Sequence, residues 1–212
     1  ASLELAASLS AISALVDSLG AFLAPHLPQL FEVVLSPAVL ACDHAHCSAL
    51  AESIRNRLAR EIPARLLLAT LAESLDRAAA AGAVAACALL GMLRLAIESM
   101  DSEVVASYHE TVFLQLLRAL DLRRLEATGP VVSSAADAVE GAALGALVEL
   151  TMKLSETRFK PLFFRLVEWA TASAPPPSGN PTDAVISSSL LPRAVALLAA
   201  ANVLSERLRS VF

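Results

Sequence analysis

This sequence predicts an all-α fold assembled from stacked antiparallel helix hairpins. Three observations carry that reading. The 212 residues include 43 Ala and 39 Leu, the two residues that head the helix-propensity ranking. Aromatic residues make up only 4% and glycines number 7, so strands and Gly-loop-rich α/β units lack their usual residues. Finally, Pro-marked or Ser-marked helix starts recur at intervals close to 40 residues, the last lengthened by a loop at 128–132 and a long helix. Disorder is excluded by composition, because 56% apolar and 17% charged residues leave ample surface to bury.

The elements follow from periodicity and punctuation. A first helix spans 2–19, with Leu5, Leu9, Ile12 and Val16 at steps of three and four, and stops at Gly20. A second segment, 22–35, has its start shaped by Pro25 and Pro28 and presents Leu27, Leu30, Phe31 and Val34. The next helix, 45–60, ends before Pro63, which suits the first turn of the helix after it. That helix reaches about Arg77 through Leu67, Leu71 and Leu75. Residues 83–100 form a further helix, and Asp101 or Ser102 caps the following one, lined by Val105, Tyr108, Val112, Leu116 and Leu120.

The Thr128-Gly129-Pro130 run breaks the chain. Ser133 or Ser134 starts a long helix to Leu154, and a helix from Arg158 to about Thr171 carries Pro161 in its first turn. Residues 173–188, with Pro175, Pro176, Pro177, Gly179 and Pro181, are expected to be a mobile Pro/Ser-rich loop. A last helix covers about 190–211. These are about nine helices: one leading helix and four hairpins whose first helices begin near Phe22, Ile62, Ser102 and Arg158. An interval of ~40–47 residues in paired helices is the mark of a HEAT-type α-solenoid. A globular bundle would explain the helices but not their spacing. Residues 1–212 are therefore expected to be a single segment of a longer solenoid. No initiator Met is present, and Glu4 and Asp17 with no basic start argue against a signal peptide.

Charge and motifs narrow the function. With 16 basic against 21 acidic residues, the whole chain offers no electrostatic footprint for nucleic acid. Three cysteines, Cys42, Cys47 and Cys87, point to a reducing compartment rather than a disulfide framework. The longest uncharged run, 78–93, is Ala-rich and short of the ~20 strongly apolar residues a membrane span needs, so no membrane role is expected. The scattered glycines make neither a GxGxxG nor a GxxxxGK loop, and GxSxG and HExxH are absent. No enzyme, cofactor or small-molecule substrate is expected. The Gly141 and Gly145 pair reads as a place for close helix approach.

Three clusters bear on chemistry. Cys42, His44, His46 and Cys47 are metal-ligand types, but contiguous residues wrap one ion poorly, and an inter-helix turn is the simpler account. A metal protein using these four would carry stoichiometric zinc. Arg55, Arg57, Arg60 and Arg65, and again Arg118, Arg123 and Arg124, gather near helix ends, where cations favour the helix dipole. The third cluster is the run at 153–170, Lys-Leu-Ser-Glu-Thr-Arg-Phe-Lys-Pro-Leu-Phe-Phe-Arg-Leu-Val-Glu-Trp-Ala. Phe159, Leu162, Phe163 and Leu166 make a helical stripe for the core. Lys153, Arg158, Lys160 and Arg165 are the local candidates for contact with a polar partner or phosphate.

That run resembles the hallmark of the C-terminal domain of a large nucleolar HEAT-repeat family, U-three small nucleolar RNA-associated protein ten in fungi and HEAT repeat-containing protein one in animals. Phe159, Pro161, Leu162, Phe163 and Trp169 belong to the hallmark. The Pro-punctuated helix at 22–30 and the closing run at 205–212 are similar to the family's flanking stretches, whereas Ala194-Val195-Ala196-Leu197 replaces its Thr-Phe-Tyr type sequence. The resemblance implies a non-catalytic scaffold of the small-subunit processome, in its early pre-rRNA-binding subcomplex. It further implies a nuclear, nucleolar location and a role in pre-18S ribosomal RNA processing and ribosomal DNA transcription. Other processome proteins would be its partners, with pre-rRNA and the small nucleolar ribonucleoprotein reached indirectly. A generic HEAT/armadillo adaptor unrelated to ribosome assembly is the alternative.

Overall fold

The computed structural model describes residues 2–126, 134–172 and 185–209. Every regular element among them is helical. In chain order these are α1 (Ser2–Leu19), a 3-10 helix (Gly20–His26), α2 (Leu27–Val34), α3 (Pro37–Leu40), α4 (Ala45–Glu61) and α5 (Ala64–Ala81). They continue with α6 (Ala83–Ser99), α7 (Ser102–Glu126), α8 (Ser134–Lys153), α9 (Glu156–Thr171) and α10 (Val185–Arg209). The chain divides into two compact units, Ala1–Val104 and Val105–Phe212.

In the first unit, α4 lies between α1 and α6, while α2 packs beside α5. Two rows of helices result, joined by the α5–α6 hairpin. Leu9 and Val16 of α1, Leu27 and Phe31 of α2, Ile54 and Leu58 of α4 and Leu67, Leu71 and Leu75 of α5 are all buried. The hairpin turns on one residue. Gly82 has φ +121, a conformation that disfavours any side chain. Its N–H donates to the carbonyls of Ala78 and Ala79 and its own carbonyl accepts from Ala86, so it ends one helix and starts the next.

The stretch Leu3–Val34 is long and apolar enough, by length and composition, to cross a membrane. Its form here is different. Gly20, at φ +49, ends α1, Pro25 sits in the 3-10 helix, and Asp17 is ion-paired to Arg57 of α4. Arg55 of α4 donates to the Val34 carbonyl at 3.2 Å, closing the end of α2, and burial lowers its pKa.

The second unit is also built of packed helices. α10 packs on both α8 and α9, and Phe113 of α7 shares a small cleft with Leu147 and Leu150 of α8, Leu162 and Leu166 of α9 and Leu204 of α10. This alternation of packed helix pairs is the HEAT-type hairpin plan expected from the spacing.

Several boundaries differ from expectation. Segment 22–35 opens as a 3-10 helix and only then becomes α2, because a continuous α-helix through it would need the Pro28 N–H for the Ala24 carbonyl and proline has none. Phe22 is 85% exposed as a result. The short α3 follows Ser36-Pro37, a start signal that periodicity alone passes over. Pro63 precedes α5 as its N-cap rather than entering its first turn, and α5 runs past Arg77 to Ala81. α9 begins at Glu156, which puts Pro161 inside the helix. α10 begins at Val185 with Pro192 inside. Residues 185–188 of the expected loop are therefore helical, since serines cost a helix little. The rest of that loop (173–184) and the Thr128-Gly129-Pro130 break lie outside the described residues. At Gly141 an added Cβ would meet nothing within 4 Å, so among the described residues this glycine marks no close helix approach.

Candidate functional site

The hallmark run builds α9. Ser155 stands at its N-cap in an extended conformation, and its carbonyl accepts from the N–H groups of Arg158 and Phe159. Pro161 offers no N–H, so the Thr157 carbonyl one turn back has no backbone donor from that position. Beyond it the stripe forms as its spacing requires: Leu162, Leu166 and Ala170 are buried. Phe159 and Phe163 are half-buried, with ring centroids 5.9 Å apart at 47°, within the favourable range for tilted aromatic pairs.

The four candidate cations separate into different environments. Arg165 places its guanidinium 5.9 Å from the centre of the Phe113 ring, a cation–π contact that ties α9 to α7. Lys153 is half-buried at the end of α8. Arg158 and Lys160 are exposed. Phe164, one turn from Lys160, is 55% exposed, so the outer face of α9 combines cationic and aromatic side chains.

At the far end of α9, Trp169 meets two residues that the sequence reading did not single out. Arg193 of α10 donates from Nε to Asp121 Oδ1 and from Nη2 to Oδ2, each at 2.7 Å. It also donates from Nη1 to the Trp169 carbonyl at 3.2 Å and stacks 5.1 Å from the indole centre. Trp169 Nε1 donates to Asp121 Oδ2 at 3.3 Å. Fork-to-fork pairing of this kind is directional and charge-assisted. The Arg193 and Asp121 side chains are 13% and 23% exposed, so this is a structural pin joining α7, α9 and α10. A signal for it was present: Arg193 is the one charged residue between Asp183 and Glu206, and a lone charge in an apolar helix needs a partner.

The other clusters assemble differently. Cys47 is buried at the start of α4, where burial and the neighbouring Cys42 thiol raise its pKa. His44 and His46 are exposed. Among the described residues no three His, Cys, Asp or Glu side chains converge in a way that would hold a metal ion. Arg57 is engaged with Asp17 and Glu61, Arg60 and Arg65 are exposed, and the side chains of Arg123 and Arg124 lie outside the described residues.

Comparison with known proteins places this geometry in context. Residues 104–212 match the BP28CT (NUC211) domain, a span that holds the hallmark, Asp121, Trp169 and Arg193. An uncharacterised protein of Arabidopsis thaliana is 32% identical over 202 residues, covering 95% of this chain and 9% of the relative. U3 small nucleolar RNA-associated protein 10 of Schizosaccharomyces pombe is 30% identical over 148 residues, covering 68% of the chain and 9% of the relative. HEAT repeat-containing protein 1 of Danio rerio is 29% identical over 168 residues, covering 76% and 8%. The chain thus spans less than a tenth of the length of these relatives. No solved structure matches it. The chain belongs to the BP28CT (NUC211) domain family.

Proposed function

We propose that this chain is a scaffold segment acting in ribosome biogenesis, within a longer array of helix hairpins. The observation that carries the proposal is the domain match over 104–212 together with relatives named for association with U3 small nucleolar RNA. Those names favour the ribosomal role over a general adaptor. None of the three relatives described above bears an enzyme's name, and stacked hairpins supply an extended surface suited to assembly. The segment works without catalysis, in the nucleolus, as part of the small-subunit processome. It meets other processome proteins directly and pre-rRNA or the small nucleolar ribonucleoprotein through them. The outer face of α9 with Lys160 and Phe164, together with Arg158 in the exposed first turn, is the contact surface.

Immunoprecipitation of the full-length protein tests this reading. Pre-rRNA and processome subunits are expected in the precipitate, and recovery of neither overturns the proposal. The double substitution Arg158→Glu/Lys160→Glu, both at exposed positions, should lower recovery while leaving helix content unchanged. Imaging of the tagged full-length protein should show nucleolar enrichment, whereas a purely cytosolic signal supports the adaptor.

A further inference from the structure

Of the cluster Cys42, His44, His46 and Cys47, the fold brings the two cysteines together. Cys42 lies just beyond α3, and Cys47 sits in the first turn of α4. Residues 42–44 between the helices have no regular structure. Backbone bonds fix both ends of this link: the Cys42 N–H donates to the Val39 carbonyl at 3.4 Å, and the Ser48 N–H donates to the His44 carbonyl at 3.0 Å. Across the bend the two thiols share a side-chain hydrogen bond, so their sulfurs are neighbours. Their surroundings differ. Cys42 is half-buried, whereas Cys47 is only 2% exposed. Asp43, His44 and His46 are exposed, so small solutes reach the link.

An accessible thiol backed by a second, enclosed one is the arrangement of a redox pair, in which the outer sulfur meets the oxidant and the inner sulfur resolves the product. Disulfides that form in reducing compartments are mostly transient and redox-sensing. Cys87 on α6 is the internal contrast, since burial rather than a second thiol acts on it. From these features we infer that Cys42 and Cys47 are a reversible dithiol–disulfide site, oxidised by hydrogen peroxide and restored by small thiols. In the first step the Cys42 thiolate attacks a peroxide oxygen. An S–O bond forms, the O–O bond breaks, and the departing hydroxide takes up a proton. Sulfur is thereby oxidised by two electrons to a sulfenic acid, and the peroxide is reduced. In the second step the Cys47 sulfur attacks the Cys42 sulfur. An S–S bond forms, the S–O bond breaks, and hydroxide leaves with the Cys47 proton as water. The sum is two thiols and one peroxide giving one disulfide and two waters. Because residues 42–44 belong to no helix, the link can bend to bring the sulfurs to about 2.05 Å. The bond would staple the end of α3 to the start of α4. This site belongs to the first unit and stands whether or not the ribosomal role holds.

The test exposes the folded full-length protein to hydrogen peroxide, unfolds it, caps the remaining thiols with iodoacetamide and cleaves after glutamate. Peptide 33–52 then holds Cys42 and Cys47, and peptide 74–98 holds Cys87. Mass spectrometry should find 33–52 uncapped and lighter by two hydrogens, with Cys87 still capped. Dithiothreitol given before capping should restore both caps. In Cys47→Ser, Cys42 should stop at the sulfenic acid, which dimedone traps. In Cys42→Ser, Cys47 should be oxidised at least about tenfold more slowly, as an enclosed thiol is. The unaltered protein decides the matter even where a variant folds poorly. Caps on both cysteines of 33–52 after peroxide overturn the inference. So does a Cys42 sulfinic acid beside a capped Cys47, or a disulfide that joins either residue to Cys87 or to another chain.

Discussion

The two units are built from the same helix pairs and held together by different means. In residues 1–104, apolar burial and tight turns carry the packing, and the ion pairs Arg57–Asp17 and Arg77–Glu32 lie at the surface with side chains 34–59% exposed. In residues 105–212 a half-buried charge pair and an indole join three helices whose contributing residues are 48 and 72 positions apart. The difference teaches where directional contacts are needed. When one glycine separates two helices, connectivity already dictates which faces meet. When distant segments must find each other, a bidentate pair with a single satisfied geometry selects among otherwise similar Ala/Leu faces.

That contrast can be broken experimentally, beginning with the largest effect. Leu71→Ala, at a fully buried position of α5, should cost about 3 kcal/mol or more in urea unfolding followed by far-UV ellipticity. Arg193→Ala takes the guanidinium from a half-buried carboxylate that keeps the weaker Trp169 N–H, and should cost about 2–3 kcal/mol. Trp169 is the single tryptophan, so its fluorescence reports this loss directly. A double-mutant cycle with Asp121→Ala should show strong coupling, and additive effects would refute the pin. Gly82→Ala, which forces a side chain into φ +121, should cost about 1–2 kcal/mol. Arg57→Ala removes only a surface pair and should cost under about 1 kcal/mol; a loss equal to that of Arg193→Ala would erase the distinction between the units.

The smallest effect concerns pH. Burial raises the pKa of the Cys47 and Cys87 thiols in the folded chain. The unfolded chain then releases these protons first as pH rises, so the native state holds more protons over that interval. Their contribution is complete below the unfolded thiol value of about 8.5 and is lost as pH climbs through the folded values. Urea midpoints should fall on going from pH 7.5 to 9.5, and Cys47→Ser/Cys87→Ser should flatten the decline.

The helices were legible because their signals are local. Leu67, Leu71 and Leu75 repeat at the helical step and all are buried, although the stop at Gly82 was passed over and the helix ended too early, near Arg77. Pro25, Pro161 and Pro192 were harder, since a proline marks a helix start, a 3-10 turn or a tolerated interior site depending on what packs around it. At the candidate site the stripe was readable from its period, with Leu162 and Leu166 buried as the spacing requires. The partners of Trp169 were not, because Asp121 and Arg193 are brought to it by tertiary packing that no window of sequence contains. Arg165 shows the same limit: its charge suggested an outside partner, yet its guanidinium faces Phe113.

The single-residue junction at Gly82 has a consequence for how this chain tolerates length change. Each residue added inside a helix turns everything downstream by about 100°. One insertion within the first turn of α6 would swing Leu89, Leu93 and Ala96, now buried, out toward water, and the one-residue link at Gly82 leaves little slack to turn the helix back. Indels should therefore be purged just after that junction first, making it the least editable point of the first unit.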